Sequence, residues 1–268
     1  MTGPGGGVHE RWMRAVELGG EGYAARAITL LDEVRRETSS TGDVATASLC
    51  RSTHGSLLRQ SGQHTAALVR DGAAVAVLAP VMTDDAQRAR AIAAERSCAR
   101  AAAVDALVGL AADNLGRGQF GATRRLLVGA EPWLPTDGLT TADWITDARI
   151  RLRWEWVSAE YHLYSGRPED ARSHSAAATA LVDEAPETTA RHRIKTDLIA
   201  AATSAASGER EIAADLATRC RVRAAEHRLL PLEWAALSLL SGVAPGPEVT
   251  RDLASSRAEL IARGMPFD

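Results

Sequence analysis

A set of small residues at fixed spacing constrains this chain more than any other feature. Gly55 and Gly62 stand seven apart, Ala67 follows five later, and Ala74 seven after that. His64 and Leu68 fill the larger positions between them. Two antiparallel helices in close contact need this arrangement. A small residue in the first helix admits its partner, a glycine turns the chain, and small residues in the second helix receive the first. Related stretches recur at Gly118-Gln119-Phe120, at Gly166 to Ala171 and at Gly208 to Ala213. One hairpin cannot bury its apolar faces alone, so the recurrence predicts a stack of hairpins.

Composition points the same way. Alanine, the best intrinsic helix former, makes up about a fifth of the 268 residues, and aromatics only 4%. The expected fold class is all-α, an array of antiparallel helical hairpins in a solenoid or curved superhelix. A net charge of −3 is near neutral for this size and argues against a nucleic-acid partner. Lys195 is the only lysine against thirty arginines, a bias that, with the alanine content, fits a high-GC bacterial genome. Cys50, Cys98 and Cys220 are odd in number and far apart, which reads as reduced thiols without zinc spacing. No apolar run approaches a membrane span, and the glycine-rich first residues lack the order of a signal peptide. A cytoplasmic protein with no membrane partner is expected.

Residues 1–8 read as a disordered lead, and 9–268 as a single repeat domain with a soft break near 131–140. A first hairpin is expected near 9–19 and 22–38, with Asp43 capping the next helix. The second hairpin runs from about 44 to 79 and breaks at Pro80. A long helix or a pair fills about 84–115, and a helix after Gly118 ends near Ala130. Pro132, Pro135, Asp137 and Gly138 make a loop. Further hairpins span about 141–184 and 188–228. A last pair, at about 232–241 and 247–263, is split by Pro245-Gly246-Pro247 and caps the stack.

These residues resemble a tetratricopeptide repeat (TPR). Its hairpin carries small residues at the eighth, twentieth and twenty-seventh positions, glycine at the fifteenth and a bulky residue at the seventeenth. Gly55, Gly62, His64, Ala67 and Ala74 match that order. So do Ala111, Gly118, Phe120 and Ala130, with Thr123 in place of alanine and Pro135 where the family often has proline. Ala159, Gly166, Ala171 and Ala178 match except for Pro168, and Ala201, Gly208, Ala213 and Cys220 match as small residues. The turn glycines are 56, 48 and 42 residues apart, whereas the family period is about 34. Longer helices or irregular connections are implied.

Signatures of catalysis are weak. Gly116 to Gly121 has the letters of a dinucleotide-binding glycine loop, but Val104 to Leu115 before it reads as helix, and the fingerprint needs a strand there. No Gly-x-Ser-x-Gly or His-Glu-x-x-His occurs. His162 can approach His174, and His192 can approach His227, across hairpins, without a ligand set that names a metal. Asp84 and Asp85 are accounted for by helix capping. Arg191, His192, Arg193 and Lys195 crowd a helix start, where positive charge opposes the macrodipole. Salt bridges to Asp183 and Glu184 are the favoured explanation, ahead of anion binding. No catalytic, cofactor or metal residue is assigned.

The segment from Trp144 to Tyr164 has two stripes. Ile145, Ala148, Leu152, Trp156, Ala159 and Leu163 define one packing face, and Trp144, Asp147, Arg151, Trp154, Ser158 and Tyr161 a second. Packing against a neighbouring hairpin is favoured for the second stripe. The TPR resemblance implies that first helices line a concave groove. Its positions fall on Leu49, Ser52, Ser56 and Arg59, on Arg153, Trp156, Glu160 and Leu163, and on Lys195, Leu198, Ala202 and Ala205. The lysine and asparagine set that clamps a terminal carboxylate in some members is missing. The expected function is non-enzymatic: a scaffold that binds a protein or peptide through Arg59, Arg153, Trp156, Glu160 and Lys195. A small-molecule or peptide sensor is the alternative. Glu160 beside Arg153 would give that groove both signs of charge. Leu253, Leu260, Ile261, Met265 and Phe267 offer an apolar end, so a homodimer is expected, which a doubled mass in light scattering would reveal.

Overall fold

The computed structural model describes residues 7–93, 98–135, 144–185 and 188–267. Every regular element among them is helical. The first hairpin pairs α1 (Val8–Gly20) with α2 (Ala24–Thr41), and the second pairs α3 (Val44–Arg59) with α4 (His64–Val77). Asp43 caps α3 as expected, its carboxylate accepting the Thr46 amide at 3.0 Å. Short α5 (Ala79–Thr83), carrying Pro80, and α6 (Asp85–Ala93) intervene before the third hairpin, α7 (Cys98–Gly116) with α8 (Phe120–Ala130). A 3₁₀ turn (Glu131–Trp133) follows, then α9 (Ala148–Tyr164) with α10 (Pro168–Glu184), α11 (Ala190–Ala206) with α12 (Arg210–Glu226), and α13 (Leu230–Val243) with α14 (Pro247–Ala262).

Several boundaries differ from expectation. Val8 already belongs to α1, and residues 1–6 of the expected lead lie outside the described set. Pro132 sits in the 3₁₀ turn, while Asp137 and Gly138 lie outside the described residues. Of the two arrangements expected for about 84–115, the described residues there form the pair, α6 and α7. That inserted α5–α6 segment explains the widest interval between turn glycines: it lies outside the hairpin pairing.

Four of the hairpin turns share one construction. Gly62, Gly118, Gly166 and Gly208 have φ between 70° and 83°. The amide of the residue after each glycine bonds back to a carbonyl five residues earlier, as in Gln63 to Leu58 at 3.1 Å and Gln119 to Asn114 at 2.8 Å. This closure satisfies the helix-end carbonyls and requires a left-handed residue. Between α12 and α13 the same bonds form, Leu229 to Ala224 at 2.8 Å, but the left-handed position is Arg228 with φ 58°.

The small residues sit where the helices of each pair touch. Ala67, Ala74, Ala111, Thr123, Ala130, Ala159, Ala171, Ala178, Ala201, Ala213 and Cys220 are all fully buried. The two departures from alanine keep their polar hydrogens occupied. Thr123 donates to the Ala111 and Gln119 carbonyls at 3.2 Å, and the Cys220 thiol points to the Ile194 carbonyl at 3.8 Å. Burial pushes that thiol up to about 12, which makes it an inert packing group.

First helices neighbour one another in the order α1, α3, α7, α9, α11, α13, and the ends of the array then meet. Leu260 and Met265 pack with Ala24, and Phe267 lies against Trp234 at 5.1 Å between ring centroids. Arg263 donates to the Glu21 carbonyl at 2.6 Å and lies over the Tyr23 ring, and Gln63 donates to the Pro266 carbonyl at 2.6 Å. Leu260 and Met265 therefore cover the first hairpin of their own chain, while Phe267 packs on the last. The apolar end behind the homodimer expectation is largely used internally, with Ile261 still 46% exposed. Among the described residues no helix is long and apolar enough to cross a membrane.

Arg228 holds a conformation that costs a residue with a Cβ about 1–2 kcal/mol, part of which glycine recovers. Arg228→Gly is expected to raise stability by roughly 0.5–1 kcal/mol, read from the urea unfolding midpoint.

Candidate functional site

The inner helices carry charge into the body of the stack at two adjoining places. At the first, Asp71 of α4 is completely buried. Its carboxylate lies between Gly55 of α3 and Gly109 of α7: a Cβ at either glycine would come within 2.5 Å of an Asp71 oxygen. Arg59 of α3 reaches both Asp71 and Asp113 of α7, the latter at 2.8 Å, and also the Gly109 carbonyl at 3.3 Å. Two carboxylates thus share one guanidinium. Burial raises Asp113 to about 7, with Asp71 adding to the rise and Arg59 opposing it. Burial likewise raises Asp71. Asp71 Oδ1 and Asp113 Oδ2 take no hydrogen bond from Arg59; the two carboxyls lie within reach of each other, and Ser52 lies within reach of Asp71. A proton held between them satisfies both oxygens and removes the like-charge repulsion.

At the second place, Asp105 of α7 receives two arginines from α9. Arg149 binds it through both nitrogens at 2.8 and 3.1 Å, and Arg153 adds a third bond. Burial pushes the Asp105 carboxyl up, but the two guanidiniums outweigh it and hold it below the usual range. A third guanidinium, Arg191 at the start of α11, sits within electrostatic reach of both arginines. Its one hydrogen bond among the described residues goes to the Val16 carbonyl of α1, at 3.5 Å. Its stem passes 3.5 Å from where a Cβ on Gly20 would lie. Burial, then Arg153 and Arg149, lower Arg191 to about 10. Three guanidiniums face one carboxylate here. A fifth of the Arg153 side chain still meets water although protein surrounds it closely.

The expected groove residues share this inner face but in different pairings. Arg59 belongs to the Asp71–Asp113 cluster, with only 11% of its side chain exposed. Arg153 is held by Asp105, and Glu160 pairs with Lys195 at 2.9 Å. Arg153 and Glu160 thus each take a partner from another helix, Asp105 of α7 and Lys195 of α11. Trp156 donates to Thr196 Oγ1 at 3.0 Å and stacks on His192 at 5.9 Å, joining α9 to α11. In the second aromatic stripe, Trp144 is buried edge-on to His192, Trp154 donates to the Leu127 carbonyl at 3.0 Å, and Tyr161 lies under Arg167.

The basic run at the start of α11 divides. Arg193 pairs with Asp183 at 3.5 Å, the favoured explanation, whereas Arg191 turns inward and finds no carboxylate among the described residues. His192 is lowered well below the usual imidazole range by burial and by Arg191, Arg149 and Arg153. His162 and His174 do stack, at 5.2 Å, with His174 on Glu155 at 2.7 Å. His192 instead packs on Trp144 and Trp156. No group of three metal-type ligands converges among the described residues.

Asp71, Asp105, Asp113 and Arg149 escaped notice as site residues. A signal existed: Asp105 interrupts Ala101 to Leu110, an otherwise apolar helical run, and a lone carboxylate there is buried only with a partner. No protein-family model matches the chain, and no curated protein aligns with it.

Because Asp113 binds its proton more tightly folded than unfolded, its contribution is complete below the unfolded carboxyl range and is lost as pH rises toward about 7. The slope from this one group is about 1.4 kcal/mol per pH step. Asp113→Asn, which cannot ionise, is expected to flatten stability against pH between the carboxyl range and neutrality. Urea unfolding of both proteins across that interval measures the difference.

Proposed function

We propose that the chain is a non-enzymatic, TPR-like interaction module whose inner face receives an acidic segment of a protein or peptide partner. One observation carries the reading: Arg149, Arg153 and Arg191 share the single carboxylate of Asp105, and Arg191 has no acid of its own among the described residues. A guanidinium enclosed by protein beside two others is costly unless an anion completes it. The Lys195–Glu160 pair, one turn along α11, adds a rim that fixes orientation. The small residues buried at hairpin contacts and the left-handed glycine turns support the TPR resemblance.

A second reading has its own support. The close approach of α1 to Arg191 suits a small carboxylate-bearing molecule and the role of a sensor. Hexaglutamate and citrate, titrated separately by calorimetry, divide the two. Tighter binding of hexaglutamate supports the interaction module, and tighter binding of citrate the sensor.

Arg191→Gln tests the site itself. It is expected to weaken binding of the preferred anion by about tenfold or more, the value of one charge-assisted hydrogen bond. The same change relieves an enclosed, uncompensated charge, so thermal stability should hold or rise. Unchanged affinity in Arg191→Gln would overturn the assignment.

A further inference from the structure

A cleft of about 260 Å³ opens on the other side of α3, away from Arg59 and the inner face. Its walls come from three helices: Leu31, Asp32 and Arg35 of α2, Cys50, Arg51 and His54 of α3, and Val69, Arg70 and Ala73 of α4. The floor is apolar, formed by Leu31 and Cys50, and burial pushes the Cys50 thiol up to about 12. That sulfur is a packing surface rather than a nucleophile.

The polar lining is unbalanced. Arg35, Arg51 and Arg70 face the cleft against one carboxylate, Asp32, which meets Arg35 at 3.4 Å. Arg51 is folded back onto its own helix, donating to the Ala47 carbonyl at 2.8 Å, and burial and the nearby Arg35 and Arg70 lower it. Arg70 makes no hydrogen bond or ion pair among the described residues. His54 is nine-tenths buried and likewise has no hydrogen-bond partner there, though it lines the cleft. Burial and then Arg70 lower its imidazole, so it stands neutral with a free acceptor and one N–H.

We propose that this cleft binds a small phosphate-bearing molecule. Three arginines from three helices line the cleft, and with Arg51 swung off the Ala47 carbonyl they match a tetrahedral dianion with several acceptor oxygens, which arginine forks bind bidentately. The imidazole of His54 supplies a further donor beside the anion. Leu31, Cys50 and Val69 offer apolar contact for a short carbon chain. The volume stands at the small end of ligand pockets. This site is independent of the inner face, because none of its lining residues takes part in the Arg149–Arg153–Arg191 cluster.

Glycerol phosphate is the probe, added to the full chain at constant ionic strength, with the ring resonances of His54 followed by NMR across pH. Binding is expected to shift the His54 resonances and to move its protonation midpoint upward, because a phosphate beside the ring offsets Arg70. Arg51→Gln and Arg70→Gln are each expected to weaken the affinity about tenfold. Neither arginine has a carboxylate partner to orphan, so both variants keep the fold. Arg191→Gln should leave this response intact, which separates it from the inner site. The proposal is overturned if millimolar glycerol phosphate leaves His54 unmoved, or if the response survives in the Arg51→Gln, Arg70→Gln double variant. Tighter binding of citrate or hexaglutamate at His54 than of glycerol phosphate overturns it equally.

Discussion

The structure hangs on one buried carboxylate. Asp71 projects from α4 into the space between α3 and α7, where Gly55 and Gly109 leave room for it and for nothing larger. Arg59 and Asp113 then bind it from those same two helices. Ordinary hairpin packing joins α3 to α4, but this cluster joins that hairpin to the next one across the α5–α6 insertion. Replacing one member of such a network leaves an unpaired group in the interior, at a cost of roughly 3–5 kcal/mol. The apolar contacts around it are interchangeable by comparison. The shared proton is what allows two acids to be buried with one base.

A second network continues the first along α7. Asp113, Gly109 and Asp105 lie at successive turns of that helix, so α7 presents acid to α3 and α4 at one end and to α9 at the other. The arginines answering Asp105 outnumber it, and Arg191 from α11 extends the excess. Paired and unpaired guanidiniums then meet on one surface. The carboxylate-paired arginines hold helices together, while Arg191 keeps its charge without a local acid. An interior built only for stability would have replaced Arg191 with an apolar residue.

Closure of the array shapes access to that surface. The turn after α14 bonds to Glu21, Ala25 and Gln63, so the last hairpin rests on the first two. An open solenoid presents a broad concave groove, whereas here α1 stands beside the start of α11.

The sequence by itself determined the helical class, the hairpin register and the inner-contact positions. Those depend on local chemistry: glycine for left-handed turns, and small side chains where two helices touch. Gly62, Ala67 and Ala74 announce these roles within one hairpin, as do Gly166, Ala171 and Ala178. The pairing of charges was decided by tertiary structure alone. Arg153 and Glu160 lie seven residues apart on one helix, close enough to suggest a shared site, yet Asp105 and Lys195 from neighbouring hairpins claim them. Arg193 and Arg191 differ by two positions, and that offset turns one to a surface acid and the other inward. Long-range pairing depends on how hairpins are rotated against each other and on where the array ends meet. Those are properties of the assembled stack, to which Arg59, Asp71 and Asp113 contribute from three separate helices.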